Sequence, residues 1–131
     1  QLFLTHCPTS NALLGETKAD IEYLKTMQAS IGTDGLSSNI SLSLFSELQN
    51  ALLIHSEQNK LELAKALLLF ATKNGANALG VNAGEIIVGK NADMLVSVLP
   101  NRCTKEDVAL HTILHTKEVY KSFIGGKVFY E

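Results

Sequence analysis

The sequence predicts an α/β chain in two zones, and three observations predict it. Two short apolar stretches, "LFLTHC" and "QASI", flank a helical segment near the start. Two longer helical patterns follow between residues 41 and 73. After Gly84 the character turns β-rich and ends in a Gly-Gly hairpin. Strand, helix, strand in that order favours a parallel pair joined by a crossover helix.

Taken in order, "LFLTHC" reads as a buried strand ended by Pro8, which has no N–H for a ladder bond. "TKADIEYLKTM" reads as a helix with Thr17 as N-cap and Asp20 three residues on. "QASI" is the second strand and delivers Thr33 and Asp34 at its C-terminal end. From Ser41 to Ser56, Leu44, Leu48, Ala51 and Leu52 recur at helical spacing. A further helix is expected from Lys60 to Lys73, stopped by Asn74 and Gly75, with one short turn in "ANALGV". "EIIVG" and "DMLVSVL" read as strands, Pro100 to Lys117 as a loop of weak structure, and "EVYKSFIGGKVFYE" as a hairpin.

Composition narrows the function classes. With 46% hydrophobic and 18% charged residues, the 131-residue chain suits one globular domain. A net charge of −2 and a single arginine, Arg102, give no basic patch for nucleic acid. Apolar runs such as "ALLLFA" are too short to span a bilayer. Cys7 and Cys103 lie far apart, without a Cys-x-x-Cys pair, and read as free thiols of a cytoplasmic protein. The start at Gln1, directly on an apolar stretch, suggests a piece of a longer polypeptide.

His6 and Asp34 each fall at the C-terminal end of an expected parallel strand, the end where ligands gather in α/β folds. Position alone leaves two readings for each: a cleft pair, or a buried histidine and a turn aspartate in "GTDG". His111 and His115 in "HTILH" have the i, i+4 spacing of helical metal ligands but no glutamate between them, and Thr112 and Ile113 disfavour a helix there. No serine has the G-x-S-x-G context of an activated nucleophile, and Cys7 and His6, adjacent in a strand, point to opposite faces.

Four segments together resemble the amidohydrolase superfamily, in its branch of metal-dependent deaminases and chlorohydrolases: "HCPTSN", "GTDGLSSN", "ATKNGANALGV" and "GEIIVGKNADMLV". The resemblance implies the C-terminal part of a (β/α)8 TIM barrel, its last two strands and helices, plus strands of a small β-sandwich. Residues 1–83 would be the barrel segment and 84–131 the C-terminal strands of the composite sandwich. It further implies a divalent metal, zinc first with iron or manganese as alternatives, and a role for Asp34 as both metal ligand and proton acceptor. His6 is carried over as a substrate-side or structural residue. The implied activity is hydrolysis of carbon–nitrogen bonds other than peptide bonds, by deamination of a purine-like or nucleoside-like substrate. The family's remaining ligands, a His-x-His pair, a further histidine and glutamate, and a last histidine, have no counterparts here, so the site is incomplete in this chain and the chain alone is expected to be inactive.

Expected partners are a small-molecule substrate, the remainder of the parent polypeptide and a second copy of the chain; neither nucleic acid nor membrane is expected. The alternative is a non-catalytic or split module that pairs with another chain through its exposed strands.

Overall fold

The computed structural model describes residues 2–100 and 102–131. Strand β1 (Thr5–His6) pairs in parallel with β2 (Ser30–Ile31), Thr5 opposite Ser30 and His6 opposite Ile31. Between them run α1 (Pro8–Leu13) and α2 (Ile21–Thr26). The expected parallel pair is present, but each strand has only two paired residues, because neither has a second neighbour among the described residues. Pro8 does more than end β1: it occupies the first turn of α1, where its missing N–H costs nothing.

The α2 cap is Asp20, not Thr17. Its Oδ1 accepts from the N–H groups of Glu22 and Tyr23 at 2.9 and 3.3 Å, whereas Thr17 to Ala19 lie outside the helix. Helix α3 (Leu44–Ile54) is capped by Ser43, and α4 (Lys60–Leu69) by Asn59. Leu48, Ala51 and Leu52 of α3 meet Leu63, Ala64 and Leu67 of α4 in one buried cluster with Ile21, Leu24, Ala29 and Ile31. Each fully buried leucine of this cluster contributes about 2 kcal/mol.

The helical stretch does not stop at Asn74-Gly75. A π-helical turn, Phe70–Asn74, leads straight into α5 (Gly75–Leu79). Asn74 spends its side chain on the Ala29 carbonyl, at 3.0 Å, and Gly75 takes a helical φ of −59°. The stop comes at Gly80, whose left-handed φ of 68° lets Val81 N–H reach the Ala76 carbonyl.

"EIIVG" forms no strand. Gly84 and Gly89 take φ of 84° and 92°, and the segment bends between them. Gly84 is seated so tightly that a Cβ there would lie 2.7 Å from the Thr72 carbonyl oxygen. Gly84→Ala is therefore expected to cost about 2 kcal/mol or more through strain and collision, read as a lowered denaturation midpoint.

Strands β3 (Met94–Val96), β4 (Lys121–Ile124) and β5 (Lys127–Tyr130) form an antiparallel sheet in that order. Gly125 and Gly126, at φ 57° and 79°, make the two-residue turn of the β4–β5 hairpin. The expected loop from Pro100 to Lys117 contains a helix instead, α6 (Val108–His115). Tertiary packing overrides the weak propensity of Thr112 and Ile113: Ile113 is fully buried against the α3–α4 cluster, and Gln49 Nε2 donates to its carbonyl at 2.9 Å. The second zone of the sequence thus anchors itself in the core of the first. No helix among the described residues is long and apolar enough to cross a membrane.

Candidate active site

Asp34 lies three residues past β2, at the end of the parallel pair where His6 also stands. Its φ of 56° is left-handed, a conformation that aspartate tolerates and most side chains avoid. One carboxylate oxygen, Oδ2, accepts from Ser10 Oγ at 2.8 Å and from Ser38 Oγ at 2.9 Å. The Ser10 hydroxyl, then that of Ser38, holds the acid below the ordinary carboxylate range. Asp34 is thus an exposed, oriented anion with Oδ1 free of any side-chain bond.

The loop carrying it is fixed from beneath by a buried network. Glu47 on α3, fully buried, accepts from the Thr9 N–H at 3.1 Å and from Asn39 Nδ2 at 2.8 Å. Asn39 also donates to the Thr33 carbonyl, the residue before Asp34, and its Oδ1 accepts from Ser41 N–H. Asn50 Nδ2 completes the chain on Thr9 Oγ1 at 2.6 Å. One helix thereby ties α1, which supplies Ser10, to the loop that supplies Asp34 and Ser38.

His6 is buried and directs its ring toward α3. Its Nε2 lies 3.3 Å from Nε2 of His55, the residue that ends that helix, and the rings are tilted by 58°. One ring must donate and the other accept, so at least one is neutral. Burial, then the neighbouring His55, lowers His6 from 6.5 to about 4, with Glu47 opposing; burial lowers His55 as well. Because the folded value lies below the unfolded one, this stability is present above pH 6.5 and is lost as pH falls through about 4. The expected loss is on the order of 2 kcal/mol, and His6→Asn should reduce it, leaving the smaller part that His55 contributes. Denaturation midpoints at pH 7 and pH 4.5 check this; a wild-type midpoint that did not move would mean that His6 is charged in the folded state.

A divalent ion fits Asp34 as one ligand of a set. The carboxylate is anionic and oriented, with no side-chain donor on Oδ1, but a zinc site takes three or four protein ligands. Among the described residues, no group of three or more histidine, cysteine or carboxylate side chains placed to hold an ion includes Asp34. His111 and His115 stand elsewhere, on α6, with stacked rings 5.1 Å apart.

The sequence segments around this site have a wider match. The model of the amidohydrolase family fits residues 1–129. The chain belongs to the amidohydrolase family. It is 47% identical over 125 residues to aminodeoxyfutalosine deaminase of Nitratiruptor sp., covering 95% of this chain and 31% of that protein. It is 50% identical over 127 residues to adenosine deaminase of Helicobacter pylori, again 95% of this chain and 31% of that one. The crystal structure of Helicobacter pylori aminofutalosine deaminase superposes with a TM-score of 0.89 at 48% identity, covering 98% of this chain and 32% of the other. This amidohydrolase chain therefore spans about a third of the length of the relatives it matches.

Several residues of the site escape a reading of motifs. Ser10 and Ser38 sit inside "HCPTSN" and "GTDGLSSN" but carry no nucleophile context. Glu47 and His55 did leave a signal: both continue the stripe of Leu48, Ala51 and Leu52, where a polar residue must find buried partners.

Proposed function

We propose that this chain is the C-terminal part of a metal-dependent hydrolase that removes ammonia from a nucleoside-like substrate. β1 and β2 would be the seventh and eighth strands of its barrel, and β3–β5 part of its sandwich. The observation that carries this reading is Asp34, an oriented anion with one oxygen free of side-chain donors, just past a strand end, in a chain of this family. The names of the two relatives, aminodeoxyfutalosine deaminase and adenosine deaminase, support a 6-aminopurine nucleoside as the substrate class.

Asp34 would hold a divalent ion, zinc in this proposal, together with ligands from the rest of the polypeptide. When bound, such an ion supplies Lewis acidity that brings the pKa of water toward neutrality, about 7 for zinc. Asp34 then takes the proton of the attacking water and returns it to the departing ammonia. Ser10 and Ser38 keep Oδ2 occupied, so that Oδ1 does this work in a fixed direction. His6 supports the end of β1 through its contact with His55, the structural half of its expected role.

The test is ammonia release by the full-length polypeptide from a panel of aminopurine nucleosides, including aminodeoxyfutalosine and adenosine. Release should cease after chelation and return with zinc. A zinc-loaded enzyme that freed no ammonia from any of them would refute the reading.

A further inference from the structure

We propose a second metal site, separate from Asp34, in which Cys103, Asp107 and His111 bind a zinc-type ion at the start of α6. The three residues are spaced i, i+4, i+8, and one donor atom of each lies within 4.8 Å of the others. Asp107 Oδ2 and His111 Nε2 are already 3.8 Å apart. Bonds of about 2.0 Å to nitrogen or oxygen and about 2.3 Å to sulfur put tetrahedral donors roughly 3.3–3.7 Å apart. Closure therefore asks for movements of about 1 Å by half-buried side chains.

Asp107 is held for this geometry by bonds that leave its second carboxylate oxygen free. Asp107 Oδ1 accepts the Thr104 N–H at 2.6 Å, and Thr104 Oγ1 accepts the Asp107 N–H at 3.3 Å. This reciprocal clamp fixes the turn after Cys103 and leaves Oδ2 turned toward His111. His111 Nδ1 is buried without a hydrogen-bond partner among the described residues, so no protein group commits the ring to one tautomer. The Cys103 thiol donates only to the Pro100 carbonyl, at 3.2 Å. On metal binding it would release that proton to solvent and coordinate as thiolate.

The donor set selects the ion. Thiolate and imidazole favour zinc over magnesium or calcium, and three protein ligands leave a fourth position for water. His115 does not join them. Ring lone pairs lie in the ring plane, and planes only 20° apart with centroids 5.1 Å apart do not converge on one ion; His115 buttresses His111 instead.

Cobalt substitution in the full-length polypeptide tests the site, because a thiolate bound to Co²⁺ gives a near-ultraviolet charge-transfer band that carboxylates and imidazoles do not. The band should appear and should vanish in both Cys103→Ser and His111→Gln, with metal content falling by about one ion per chain. It should survive Cys7→Ser and Asp34→Ala, which separates this site from the one proposed for the reaction. Absence of the band, or its persistence in Cys103→Ser, would overturn the proposal.

Discussion

Replacing Asp34 by Asn is expected to lower kcat/KM by at least about 10³-fold, in the full-length polypeptide and with the fold intact. Asparagine is the informative substitution because it tolerates the left-handed φ of 56° and can still accept from Ser10 and Ser38. It removes the negative charge and the proton-accepting oxygen, and little else. Alanine should be as inactive but also less stable, since a plain Cβ side chain pays roughly 1–2 kcal/mol in that conformation. Metal content should fall in both variants. Activity within tenfold of wild type in Asp34→Asn, measured at saturating zinc, would show that Asp34 neither binds the ion nor moves the proton.

Glu47→Ala should have the largest effect on stability, roughly 3–5 kcal/mol, although the residue touches no substrate in the proposed reaction. The substitution orphans two buried donors, the Thr9 N–H and Asn39 Nδ2, and opens a void in a packed interface. Glu47→Gln is smaller but not neutral: its amide must turn an N–H₂ group toward one of those donors. Catalysis should suffer in the same order, because Asn39 fixes the Thr33 carbonyl next to Asp34. Chemical denaturation beside kcat measures both effects. If Glu47→Ala unfolded at the wild-type midpoint, the network would contribute nothing to holding the loop.

What the sequence revealed depended on range. The parallel pair, the hairpin and the α3 stripe of Leu48, Ala51 and Leu52 were legible because period and turn chemistry are local; Leu44, expected in the same stripe, is exposed. The family was legible because four motifs occur together and the last two, "ATKNGANALGV" and "GEIIVGKNADMLV", keep a specific order and spacing. The helix of Val108–His115 was not, because its residues form a helix only with Ile113 packed against α3 and α4. Nor was the strand reading of "EIIVG" safe, since β-branched residues become a strand only beside another strand, and none flanks Ile86 to Val88 among the described residues. At the site, the motifs contain Asp34, Ser10 and Ser38, but the buried network that fixes their segments turns on Glu47, whose partners lie 38 and 8 residues away.

The π-helical turn at Phe70–Asn74 carries a consequence for the history of the chain. Such a turn is what one extra residue leaves in a regular α-helix. Deleting a residue there would restore an unbroken helix and improve its local regularity. It would also rotate everything beyond by about 100°, swinging Asn74 away from the Ala29 carbonyl and the Thr72 seat away from Gly84. The wide turn sets the phase between the helix and the strand that leads to Asp34, so selection on the site would preserve an irregularity that selection on helix stability alone would remove.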